Sequence, residues 1–89
     1  MRNLGKPLGY QQIVGLVAST ALTVPAGATL ALVVTEAQAV RWRDDGTAPT
    51  ATIGMSLVIG ALLEYGGSLA ALRFIQQAAT ATLNVSYYA

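Results

Sequence analysis

The sequence predicts an all-β protein: a small single-domain β-sandwich or barrel of about six to eight short antiparallel strands, with an extended N-terminal arm. Three observations lead there. Apolar and polar residues alternate with a period of two in several short runs, which places successive side chains on opposite faces of a strand. Turn chemistry built on Gly, Pro and Asp recurs about every 8–12 residues between those runs. The 89 residues hold no helical repeat, coiled-coil heptad or linker that would divide them, so one domain is expected.

Residues 1–10 hold Gly5, Pro7 and Gly9 and read as the arm, with the domain over residues 11–89. Leu22, Thr23 and Val24 run into Pro25-Ala26-Gly27-Ala28, a turn in which Pro presets φ and Gly supplies a positive φ. Residues 29–36 follow as a strand with Leu30, Leu32 and Val34 on one face and Ala31, Val33 and Thr35 on the other. Neither face carries a charge before Glu36, so this strand is expected at the centre of a sheet or covered on both sides. Residues 40–43 alternate next, Val40 and Trp42 inward and Arg41 and Arg43 outward. Asp44-Asp45-Gly46-Thr47 is a turn, prolonged by Ala48-Pro49-Thr50. Met55, Leu57 and Ile59 alternate up to Gly60, residues 61–65 make a short strand, and Gly66-Gly67-Ser68 ends it. Residues 68–77 have enough Leu and Ala for one short helical turn, but Leu72 and Phe74 opposite Arg73 and Ile75 favour a strand over residues 71–76. The clearest alternation closes the sequence: Leu83, Val85 and Tyr87 on one face, Thr82, Asn84, Ser86 and Tyr88 on the other.

Composition narrows the function. Charged residues are 10% of the chain, against about 25% in an ordinary soluble domain. Part of the surface should therefore face lipid or other protein chains. Residues 7–35 carry no charge, enough length for a membrane span of about 20 residues. Pro25, Gly27 and scattered Ser and Thr interrupt that run, and its second half alternates as a strand, so the soluble reading is preferred. No compact apolar stretch leads to a small-residue cleavage site, which sets a signal peptide aside. Five basic residues nearly balance four acidic ones, giving no basic footprint for nucleic acid. Without Cys or His, disulfides, thiolate chemistry, imidazole bases and the usual zinc sites are not expected.

The remaining candidates for chemistry each have a plainer structural role. Asp44 and Asp45 are adjacent carboxylates, but neighbours on a strand point to opposite faces and the spacing of a calcium loop is missing. They read as a turn whose side chains cap backbone N–H groups and pair with Arg41 or Arg43. Hydroxyl nucleophiles have no His as base, and Lys6 sits in the arm. Neither Gly5-x-x-x-Gly9 nor the glycines of residues 60–67 match a phosphate-cradling loop. The expectation is a protein that is not an enzyme and holds no cofactor or metal. Arg41-Trp42-Arg43 is the one basic–aromatic cluster; with two aspartates following it is locally neutral, and Trp42 reads as core. Tyr is enriched at interfaces because it buries area and keeps a polar tip. Since Tyr87 and Tyr88 point to opposite faces, at least one should leave the core and meet another chain.

Several ordered motifs then point to a family. They are L-T-V-P-A-G-A at residues 22–28, A-V-R-W-R-D-D-G-T-A-P-T-A-T-I-G at 39–54, L-R-F-I at 72–75 and A-T-L-N-V-S-Y-Y at 81–88, with P-L-G-Y-Q-Q at 7–12. Across most of its length the chain resembles small virion structural proteins of tailed bacteriophages. The resemblance implies a structural subunit located in the virion, and no catalytic residue is carried over from it. The function expected is a capsid decoration or cement subunit that binds and stabilises the head shell. Its partner would be the major capsid protein or another virion protein, with assembly as a homo-oligomer and no role for nucleic acid or membrane. The contacts expected are Leu4, Lys6, Pro7 and Tyr10 of the arm, the corner of Arg41, Arg43, Asp44 and Asp45, and Tyr87 and Tyr88. The alternatives are a head–tail adaptor, collar or tail component, a sugar-binding module using Trp42 beside an aspartate, and a small membrane-inserted coat protein with residues 13–34 helical.

Overall fold

The computed structural model describes residues 5–89. Eight strands, all paired antiparallel, form two four-stranded sheets that pack face to face. They are β1 (Pro7–Val14), β2 (Thr20–Ala21), β3 (Leu30–Glu36), β4 (Val40–Arg43), β5 (Met55–Leu57), β6 (Leu62–Tyr65), β7 (Arg73–Gln76) and β8 (Thr82–Tyr88). Sheet A has the order β1-β8-β3-β6 and sheet B the order β2-β7-β4-β5. A single 3-10 turn, Leu69–Ala71, precedes β7 and is the helical turn allowed by the local Leu and Ala content.

Period-two alternation decides which side of each strand is buried. Leu83, Val85 and Tyr87 of β8 face the core opposite Thr35, Val33 and Ala31 of β3, and all six are essentially inaccessible. Phe74 of β7 and Val40 of β4 answer them from sheet B, also at zero exposure. Burying side chains of this size contributes about 1.5–3 kcal/mol each relative to exposure. β3 and β8 are the two central strands of sheet A, as the uncharged faces of β3 predict.

The chain crosses between sheets at every connection except β4 to β5, and hydrogen bonds of Thr35, Gln76 and Gln11 fix four of these passages. The Thr35 hydroxyl donates to the Gln38 carbonyl (2.7 Å) where β3 leaves for β4. Gln76 Oε1 accepts from the backbone N–H groups of Leu16 (3.2 Å) and Ala81 (3.1 Å), joining the β1–β2 and β7–β8 connections. Gln11 Oε1 accepts from the Tyr87 hydroxyl (2.7 Å) and from the Thr23 N–H (3.0 Å). These bonds offset the cost of taking polar groups out of water.

One expectation changes. The arm predicted over residues 1–10 runs too far along the chain: Pro7 to Tyr10 belong to β1, the edge strand that runs along β8. The ladder reaches back to Lys6, whose N–H donates to the Ala89 carbonyl (2.8 Å) and whose carbonyl accepts from Ala89 (2.9 Å). Gly5 and Gly9 suggested a free extension, whereas a register irregularity between Pro7 and Gly9 admits the proline at the edge of the sheet. Residues 13–34, which the membrane-coat alternative needs helical, form parts of β1, β2 and β3, as the strand reading of that segment expects. Among the described residues no helix is long and apolar enough to cross a membrane.

Candidate interaction site

The corner singled out by the sequence lies at one end of sheet B. β4 ends at Arg43, the chain turns through Asp44, Asp45 and Gly46, and a loop returns it to β5. Gly46 has φ +86°, the left-handed geometry that the Asp-Asp-Gly turn needs. Asp45 receives a bidentate pair of bonds from Arg43 Nε (3.0 Å) and Nη2 (2.5 Å), and its Oδ1 also accepts from the Thr47 N–H (3.4 Å). The hydrogen bonds from Arg43 hold the Asp45 carboxyl below the ordinary carboxylate range and raise the Arg43 pKa in return. The pair is solvated, and its role is to set the shape of the turn.

Asp44 points the other way and accepts a hydrogen bond from the Tyr65 hydroxyl of β6 (2.6 Å), which ties the corner to sheet A. That bond, together with partial burial, raises the Tyr65 pKa. The Tyr65 ring packs edge-on against Trp42, with centroids 5.9 Å apart and planes at 72°. Trp42 is half-buried at the margin of the core rather than at its centre. Arg41 donates to the carbonyls of Ala51 (3.2 Å) and Gly54 (2.9 Å), so it braces the β4–β5 loop instead of pairing with an aspartate.

These contacts frame a cleft of about 450 Å³ lined by Arg43, Asp44, Asp45, Ile53, Gly54 and Met55. Gly54 adopts φ +137°, and a Cβ there would stand 3.1 Å from Pro49 Cβ and 3.2 Å from both Arg41 Cβ and the Trp42 carbonyl oxygen. The lining of the cleft is part charged (Arg43, Asp44, Asp45) and part apolar (Ile53, Met55). Among the described residues no group of three or more Asp or Glu side chains converges as a metal site would require.

The cleft opens onto a surface that sequence reasoning did not single out. Ile53, Met55, Val58, Ile59 and Leu62 are each 47–60% exposed and follow the chain where it passes from β5 to β6 at one edge of the sandwich. β5 stops at Leu57, so Ile59 does not join Leu57 on the inner face as simple alternation suggests. The signal that was available is Val58-Ile59 beside Gly60 (φ +80°), two β-branched residues in a turn where polar residues are usual.

The other nominated residues lie elsewhere. Leu4 is outside the described residues. Pro7, Tyr10 and Tyr88 gather on the outer face of sheet A, with Lys6 at its end. Tyr10 is exposed and its hydroxyl donates to Asn84 Oδ1 (2.5 Å); Tyr88 is half-buried and its hydroxyl accepts from Ser86 (3.2 Å). Tyr87 is no contact residue: it is 1% exposed and sits in the core, where burial pushes its pKa up to about 12. Of the terminal tyrosines, Tyr88 is the one that leaves the core. The other eight nominated residues thus define separate places on the molecule, a corner of sheet B and the outside of sheet A. No protein-family model, curated protein or solved structure matches the chain.

Proposed function

We propose that the chain is a structural subunit of a tailed-phage virion, a decoration or cement protein that binds the head shell and bridges neighbouring shell subunits. The observation that carries this reading is the apolar edge of Ile53, Met55, Val58, Ile59 and Leu62 beside the cleft at the β4–β5 corner. Five large apolar side chains exposed within ten residues are costly on a solitary molecule and are the mark of a surface that another protein covers. The motifs of residues 22–28, 39–54 and 81–88 support the choice of partner, because they resemble those of virion structural proteins. Compact all-β architecture with short, cross-braced strands suits a subunit that must hold its shape under load.

The test is quantitative mass spectrometry of purified particles against the major capsid protein. Hundreds of copies per particle are expected, and Val58→Glu should reduce that number while leaving the isolated protein folded. About a dozen copies would move the protein to the portal, collar or tail. Absence from particles would end the virion reading.

A further inference from the structure

Among the described residues, carboxylates mark the outer face of sheet A, with Lys6 at its end, and arginines mark the outer face of sheet B. Glu36 of β3 and Glu64 of β6 both project from sheet A, in register with Thr82 and Leu32 respectively. Arg41, Arg43 and Arg73 all project from sheet B, where their neighbours Val40, Trp42 and Phe74 turn inward. Arg43 and Arg73 are directly opposite each other across β4 and β7. Like charges at facing positions of an antiparallel pair are destabilising. Asp45 answers Arg43, while the contacts of Arg41 and Arg73 are with backbone carbonyls, which leave a cationic surface.

Sheet A adds a second feature. Outward positions of a solvated antiparallel sheet are ordinarily polar, yet the outward residues of central strand β3 before Glu36 are Leu30, Leu32 and Val34. Exposed Leu62 lies beside Val34 on β6, while on the other side β8 presents Thr82, Asn84 and Ser86. Leu32, Val34 and Leu62 form a short apolar strip beside Glu36 and Glu64, with Leu30 buried at its end.

We propose that the outer face of sheet A docks on the outer face of sheet B of a second copy, so that copies stack head to tail. Glu36 and Glu64 of one copy then meet the arginine face of the next, which relieves the Arg43–Arg73 opposition and covers Leu32 and Val34. Because the two surfaces differ, the contact is heterologous and repeats, closing a ring or extending a line, rather than stopping at a two-fold dimer. The strands of sheet B are only two to four residues long, so the shared face is about 19 Å wide and about 13 Å long, roughly 250 Å² per partner, below the size of a stable specific interface. Association should therefore be weak in dilute solution and strong where copies are held close together. The inference goes beyond the proposed function and concerns the purified protein, whichever particle it belongs to.

Sedimentation velocity over a concentration series tests it. The wild type should grow in mass past the dimer as concentration rises, and added salt should reverse the growth. Glu36→Lys/Glu64→Lys spoils one face and Arg73→Glu the other; each alone should weaken association by about tenfold or more. Ser56→Glu, on the exposed outer side of β5, is the second sheet B variant should Arg73→Glu fail to give a β-type circular dichroism spectrum. Mixing the two kinds of variant should restore association only as far as dimers, since each mixture holds one intact pair of faces per couple. A wild type that stays monomeric, single-face variants that associate like the wild type, or a mixture no heavier than its components would each overturn the proposal.

Discussion

Replacing Tyr87 by Phe removes one oxygen from the core and gives a stability difference whose sign should depend on pH. The hydroxyl donates to Gln11 Oε1 at 2.7 Å, and that oxygen keeps the Thr23 N–H at 3.0 Å after the substitution. No acceptor is left bare, so Tyr87→Phe should cost about 1 kcal/mol at neutral pH. Tyr87 in the native protein has its pKa raised from 10.0 to about 12 by burial, because the charged phenolate is the form that burial disfavours. A raised pKa means that its contribution is whole below 10 and is lost as pH climbs through about 12. Each pH unit across that window is worth about 1.4 kcal/mol; with solvent screening at the part-buried hydroxyl, the loss is on the order of 2 kcal/mol. Phe has nothing to ionise, and the other tyrosines are common to both proteins. The wild type should thus be the more stable at neutral pH and the variant the more stable near the top of the window. Urea unfolding of both proteins at a series of alkaline pH values measures the gap. A gap that stays constant with pH would refute the reasoning, as would tyrosinate absorbance showing Tyr87 ionising with the exposed tyrosines.

Gln76→Met keeps the length of the side chain but strands two buried donors, the N–H groups of Leu16 and Ala81, at about 1–3 kcal/mol apiece. The urea midpoint should fall with the slope unchanged. Gly54→Ala puts a Cβ within 3.1–3.2 Å of three neighbours at a φ that L-residues avoid, and should cost about 1–3 kcal/mol. In a domain of this size each kilocalorie lowers the melting temperature by about 4–8 °C. Val58→Glu should lower particle occupancy without lowering thermal stability, which separates docking from folding. The charge-reversed pairs on the two sheet faces should lose self-association singly and recover only dimers when mixed.

The fold class was legible because half-buried antiparallel strands write their pattern directly into the sequence. Residues 40–43 and 82–88 were bounded as they are found, and β3 began one residue late at Leu30. β1 is the strand whose extent the sequence hides. Its half-buried positions include Gln11, which does not read as core, Gly9 breaks its alternation, and its role depends on pairing with β8 some 75 residues away. Gln11 is inward because it caps Tyr87 and Thr23, a reason that exists only in three dimensions. The same limit applied to the site. Local charge marked Arg43, Asp44 and Asp45, and these do line a cleft together. Tyr65 as the partner of Asp44, and the exposure of the β5–β6 edge, both follow from which strand lies at the margin of each sheet.

The position of β8 orders events at the ribosome. It is made after the seven other strands, yet it lies between β1 and β3 and carries Leu83, Val85 and Tyr87 into the core. Sheet A therefore cannot close until Tyr88 has been synthesised, and β1 waits through most of translation without its neighbour. Such non-local pairing slows folding, and it leaves the edges of β1 and β3 open in any product that stops short. A fragment ending after β7 should be degraded or aggregate instead of reaching the native fold. Synthesis of β8 is in this way the step that lets sheet A close.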